Sequence, residues 1–123
     1  MTIPAYCKRI GYRAFSGCVI RNVVIPDSVQ VVDEMAFYSC PRLANVELPA
    51  SLTFIGERAF SYCDDLSTVK VHFTEPIKIT RETFFFTRPE RKLTLIVPAG
   101  ASNKFKNAEG WKLFERIIED DTL

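Results

Sequence analysis

A nine-residue block occurs three times within residues 10–63. Ile10-Gly11-Tyr12-Arg13-Ala14-Phe15-Ser16-Gly17-Cys18 returns as Val32-Asp33-Glu34-Met35-Ala36-Phe37-Tyr38-Ser39-Cys40, and again as Ile55-Gly56-Glu57-Arg58-Ala59-Phe60-Ser61-Tyr62-Cys63. Its Ala-Phe-x-x-Cys core recurs at offsets of 22 and 23 residues. Between the blocks a second segment keeps the same register, as Asn22-Val23-Val24-Ile25-Pro26, Asn45-Val46-Glu47-Leu48-Pro49 and Thr68-Val69-Lys70-Val71-His72. A period this short defines a supersecondary unit too small to bury its apolar side alone, so the copies must stack. The period therefore predicts a solenoid.

Within each unit the pairs Val23/Ile25, Val46/Leu48 and Val69/Val71 alternate with variable residues. That is the period of two expected of a strand with one buried face. Stacked copies pair as a parallel sheet, and Pro26, Pro49 and Pro98 end the strands because proline cannot donate to the ladder. After the turn Cys7 and Ile10, Val29 and Val32, and Leu52 and Ile55 point inward. The Ala-Phe-x-x-Cys stretch predicts a short turn of helix on the opposite side, its Ala permitting close coil contact and its Phe filling the interior. With strands about 4.8 Å apart, five strand positions make a sheet roughly 20 Å across.

A fourth, degenerate copy reads Thr83-Phe84-Phe85-Phe86-Thr87, followed by Leu95-Ile96-Val97-Pro98. Its spacing stretches to 24 and 26 residues, and its charged run Arg88-Pro89-Glu90-Arg91-Lys92 reads as loop. Met1-Thr2-Ile3-Pro4 aligns with Val23 to Pro26, so the chain opens inside a repeat, in the register of the capped end of a longer array. From Ala99 to Asp121 the grammar changes: Phe105, Ala108, Trp111, Phe114, Ile117 and Ile118 recur at three- to four-residue steps. This predicts an amphipathic helix, broken at Gly110, that closes the open end of the solenoid. The expected organisation is a single domain over 1–123, with repeats over 1–98 and a cap over 99–123.

Sixteen Lys and Arg against fifteen Asp and Glu leave a net charge of +1, which supplies no field for nucleic acid or an anionic membrane. No apolar run approaches the roughly 20 residues that cross a bilayer, so membrane insertion is not expected. The first residues show no basic segment followed by an apolar one, and so no secretory signal.

The repeated Ile-Gly-x-x-Ala-Phe-x-x-Cys-x-x-Leu-x-x-Val-x-Leu-Pro-x-Ser-Leu grammar, carried by Ile55 to Val71 and Leu43 to Leu52, resembles the BspA-like leucine-rich repeat. Val97-Pro98-Ala99-Gly100 with Glu109-Gly110-Trp111-Lys112-Leu113-Phe114 looks like an ending common in that family. The resemblance implies an α/β fold: a short right-handed leucine-rich-repeat solenoid with a parallel β-sheet on one face and a C-terminal helical cap. It further implies a non-catalytic module of bacterial surface or extracellular proteins that binds other macromolecules. No catalytic residues and no cofactor come with it.

Cys18, Cys40 and Cys63 share one repeat position and stack as neighbours. Their Cβ atoms point the same way, which disfavours a disulfide, and they lack the paired spacing of a structural zinc site. They read, with Cys7, as small buried hydrophobes. His72 stands where other units have Pro and reads as a turn residue; Asp64-Asp65, Glu34 and Glu119-Asp120-Asp121 read as solvated surface. Phe84 takes the core slot of Phe15, Phe37 and Phe60, leaving Phe85 and Phe86 either packed under the loop and cap or exposed as a ligand platform. No metal site follows from these residues.

The candidate binding residues are the outward strand positions, because a solenoid presents them as one surface. They are Val24, Glu47, Lys70 and Ile96 in the middle row, Asn22, Asn45, Thr68 and Thr94 beside it, and Asp27, Ala50 and Phe73 just past the strands. Two readings stand: a face for a protein or glycan ligand, or plain solvated sheet in a structural C-terminal fragment of a longer surface protein. The uncapped N-terminal strand edge also predicts self-association, either as a head-to-head homodimer or with further repeats.

Overall fold

The computed structural model describes residues 3–85 and 92–123. In chain order its elements are β1 (Arg9–Ile10), β2 (Asn22–Val24), β3 (Val31–Val32), β4 (Asn45–Leu48), β5 (Phe54–Ile55), β6 (Thr68–Val71), β7 (Thr94–Pro98), α1 (Ser102–Lys106) and β8 (Arg116–Asp120). The strands form two parallel sheets, a larger one in the order β2-β4-β6-β7-β8 and a smaller one in the order β1-β3-β5. The repeat sets the register: Val23 lies opposite Val46, Val46 opposite Val69, and Val69 opposite Leu95. These residues and the next inward row, Ile25, Leu48, Val71 and Val97, are all buried, as the alternation requires. Met1 and Thr2 of the opening register, Phe86 and the charged positions 88–91 lie outside the described residues.

The Ala-Phe-x-x-Cys stretch is not a helix. It is a run of overlapping turns in which alternate N–H groups serve two purposes. Ala14, Ser16 and Cys18 donate locally, to Gly11, Arg13 and Phe15, while Arg13, Phe15 and Gly17 donate to Glu34, Ala36 and Tyr38 of the next coil. A helix would keep all of these donors to itself; here every second one extends the inter-coil ladder. The alternation needs left-handed residues, and they recur in register: Arg13, Met35 and Arg58 lie at φ 55 to 59°, and Gly17, Ser39 and Tyr62 at φ 58 to 76°. Gly56 sits so close to the preceding coil that a Cβ would lie 2.2 Å from the Glu34 nitrogen.

Inside the turns the aromatic rings stack. Phe15, Phe37, Phe60 and Phe84 follow one another with ring centroids 5.2, 5.2 and 5.3 Å apart, nearly parallel. The cysteines support the same ladder. Cys40 and Cys63 are buried, and their thiols donate to the carbonyls of Phe15 at 3.1 Å and Phe37 at 3.2 Å. The hydrogen-bonding neighbour Cys40 and then burial push the Cys63 thiol well above its ordinary range, so it stays protonated. Cys7 and Cys18, in the first coil, are only partly buried.

The C-terminal region departs from a continuous amphipathic helix. Helix α1 ends at Lys106, and Gly110, at φ 81° and hard against Ile79, turns the chain. Trp111 is fully buried, its indole N–H donating to the Ile77 carbonyl at 2.7 Å, and Trp111 and Phe114 close over Phe84 at 5.7 and 5.2 Å. Residues 116–120 then join the larger sheet, β8 pairing in parallel with β7 and the Arg116 N–H donating to Leu93. The open edge of β7 offers a partner for every second backbone group of β8, and the β-branched Ile117 and Ile118 suit a strand better than a helix.

Glu119 ties β8 to α1, accepting from the Ser102 hydroxyl at 2.6 Å and from the Ser102 N–H at 3.3 Å. The hydroxyl first, then the backbone of Gly100 and Ser102, hold its carboxyl below the ordinary 4.5. A carboxyl whose pKa is depressed on folding stabilises above its unfolded value and loses that contribution as the pH falls through the folded one. Below pH 4.5 the melting temperature of the wild type is therefore expected to fall more steeply than that of Glu119→Gln. Parallel curves in a pH series of thermal melts would show that the contact contributes nothing.

Candidate functional site

The side chains that alternation turns away from the core make two rows across the larger sheet. Asn22, Asn45, Thr68, Thr94 and Arg116 form one; Val24, Glu47, Lys70, Ile96 and Ile118 form the other. A shallow groove of about 270 Å³ on this face is lined by Asn22, Val24, Asn45, Glu47, Thr68, Lys70 and Ile96. The strand ladder thus brings together seven of the positions expected to form a binding face. Phe73 does not join them. It is 8% exposed, with its ring 6.1 Å from Phe105 and 5.9 Å from Trp111. Its apolar surface is better buried under the C-terminal aromatics than held in water.

Local pairing fixes the polar groups of the face. Asn45 donates through its side-chain amide to the Asn22 side-chain oxygen at 2.7 Å, which continues the strand register into the side chains. Glu47 lies opposite Lys70, and its carboxylate meets His72 Nε2 at 2.6 Å, with each of the paired side chains about one-third exposed at 33% and 32%. His72 is a diagonal neighbour of Glu47, two residues beyond the directly opposed Lys70, a separation that longer side chains bridge. Asp120 is held below the ordinary 3.8 first by the Thr122 hydroxyl, then by the Thr122 backbone, with a smaller contribution from the Lys70 ammonium.

A second hollow of about 440 Å³ adjoins the first where the strands turn. Val24 and Glu47 are shared, and Ile25, Pro26, Asp27, Pro49, Ala50, Ser51 and His72 complete its lining. Sequence reasoning placed Asp27 and Ala50 here but read His72 only as a turn residue. The signal that would have found it is its repeat position, which sets it beside Glu47 once the strands are in register. Arg116 and Ile118 were missed because the cap was read as helix; the strand they occupy lengthens both rows by one position.

Among the described residues no three His, Cys, Asp or Glu side chains come together as a metal site, and no buried polar side-chain atom lacks a hydrogen-bond partner. The face combines backbone-fixed rows, shallow relief and mixed polarity. Repeat architecture and sequence motif meet in one comparison, since the model of the BspA-type leucine-rich repeat region matches residues 1–106 in six copies. The chain belongs to this family. BspA-type leucine-rich repeats are repeat-type interaction modules, typically non-catalytic and typically surface-associated. No curated protein matches the chain. Among the described residues no helix is long and apolar enough to cross a membrane.

Proposed function

We propose that this BspA-type repeat is a non-catalytic interaction module of adhesion type, acting at the cell surface and binding a protein or a glycan through the outer face of its larger sheet. The observation that carries the reading is the unbroken pair of rows from β2 to β8, whose side chains have no core duty and whose spacing the backbone ladder fixes. Charge sits at the centre, at Glu47 and Lys70. Apolar side chains flank it, with Val24 65% and Ile118 41% exposed. A charged centre with apolar ends gives a partner both orientation and contact area.

A glycan array and a pull-down with the intact chain identify the partner class. Against that partner, the double variant Glu47→Arg with Lys70→Glu is expected to bind at least about tenfold more weakly, a loss of about 1.4 kcal/mol, because it reverses both central charges. Full binding by the variant would remove the face from the function. A structural segment of a longer surface protein would give no partner in either assay.

A further inference from the structure

Successive coils are tied along the smaller sheet by a recurring set of backbone bonds. Gln30 and Val31 donate to Lys8, and Asp33 to Ile10; one coil later Thr53 and Phe54 donate to Gln30, and Gly56 to Val32. By the repeat, Lys78-Ile79 of the fourth coil stands where Phe54-Ile55 stands in the third, and would continue the sheet. Instead β5 is the outermost strand, and among the described residues no fourth-coil N–H donates to the carbonyl of Thr53 or Ile55. Phe54 and Gly56 donate toward β3, so alternation turns the Ile55 N–H the other way, toward the missing strand. The ladder resumes only at Phe60 and Tyr62, which donate to Thr83 and Phe85.

The interruption has a local cause. Phe84 follows Phe60 by 24 residues, so this coil is longer than those before it, and its Pro76 brings no donor. Segment 77–80 is held by the C-terminal region: the Trp111 indole N–H takes the Ile77 carbonyl, and a Cβ at Gly110 would lie 2.6 Å from Ile79 Cγ1 and 2.8 Å from the Thr80 carbonyl oxygen. Gly56 meanwhile lets β5 press against Glu34 of the coil before it. Between the two a hollow of about 280 Å³ is left, with Phe54, Ile55 and Glu57 on one wall and Lys78, Ile79, Thr80 and Thr83 on the other. Phe54 is 50% exposed beside it.

We propose that the open edge of β5 takes an extended segment of a partner protein as an added strand, in the parallel sense in which β3 lies on β1. A bare strand edge is a template for another strand, and main-chain hydrogen bonds supply the attraction. The groups left open fix the class of partner: the Ile55 N–H and the Thr53 and Ile55 carbonyls are spaced for a polypeptide backbone, which a glycan does not have. One side chain of the added strand comes to lie beside Phe54, where an aromatic or β-branched residue pairs best. The next turns into the hollow between Ile55 and Ile79, which suits an apolar one. The site is on the smaller sheet, so it fails or stands independently of the outer face of the larger one.

The chain itself supplies the probe. A capped synthetic peptide copying residues 28–34 carries β3, which makes this contact on β1 through the N–H groups of Gln30, Val31 and Asp33. Titrated into the isotope-labelled full chain, it is expected to shift the amide resonances of residues 53–58 and to slow hydrogen exchange at Ile55 by at least about tenfold at saturation. N-methylation at the peptide position of Asp33 removes the donor to the Ile55 carbonyl and is expected to weaken binding about tenfold. N-methylation at the position of Val32, whose N–H points away from β5 in this arrangement, is expected to leave binding unchanged. No binding at millimolar peptide overturns the proposal, as do equal affinities of the two methylated peptides or shifts confined to the larger sheet. In the free chain, Ile55 exchanging as slowly as Val32 would mean that segment 77–80 closes on β5, and protection that grows with protein concentration would mean that a second copy of the chain does; either overturns the proposal in favour of that occupant.

Discussion

A chain ending at Lys104 is expected to lose its cooperative unfolding transition. The truncation removes Phe105, Trp111 and Phe114, all buried, together with the whole of β8. Phe84 then loses the two rings that close the stack, and Phe73 loses the two rings against which it is buried. Replacing one buried Trp or Phe by Ala costs about 3–5 kcal/mol, and the whole stability of a domain is about 5–15 kcal/mol. Three such residues exceed what a short stack can lose. In repeat proteins the terminal units stabilise their neighbours through the interface alone, so an uncovered end unravels inward. Scanning calorimetry and the dispersion of amide resonances read the outcome, and aggregation is expected as the apolar end is exposed. The graded form, Trp111→Ala in the full chain, is expected to lose about 3–5 kcal/mol and to remain folded. A truncated chain that is soluble and melts cooperatively would show that residues 105–123 are an appendage and not a cap.

Legibility from sequence followed how locally each feature is determined. The solenoid, the parallel register and the inward rows could be read because each depends on a residue type recurring at a fixed interval, which survives without any knowledge of neighbours. The turn geometry at Ala-Phe-x-x-Cys could not. Whether the Phe37 N–H closes a helical turn or reaches the Ala59 carbonyl depends on a coil 22 residues away, and the left-handed residues that decide it, Met35 and Ser39, are not types that announce such backbone. The cap misled for a related reason. Apolar residues from 105 to 118 fit a helical period, yet β7 left an open edge that rewards a strand, and Arg116 to Asp120 pair along it. Tertiary hydrogen bonding outweighed local propensity there. In the candidate face, the positions followed from the repeat, while the burial of Phe73 did not, because its partners Phe105 and Trp111 come from the C-terminal region.

The aromatic ladder ought to make the cost of losing a ring depend on its place in the stack. Phe60 is 1% exposed and has a ring on each face, Phe37 at 5.2 Å and Phe84 at 5.3 Å. Phe15 is stacked only on Phe37 and is half-buried. Phe60→Ala opens a cavity that turns on both sides cannot fill, since their backbones are tied by inter-coil bonds from Phe37 to Ala59 and from Phe60 to Thr83. Its expected cost is about 3–5 kcal/mol, a large part of the total stability. Phe15→Ala removes one face of contact at a site already open to water, and water fills the space, so its cost is expected to be well under half of that. Urea unfolding of the two variants measures the difference. Equal losses would mean that a ring's place in the stack does not set its cost. A gradient from the first coil inward would mean that each ring is stabilised by its neighbours, so that the same Phe at the same repeat position carries more of the fold the deeper it lies in the array.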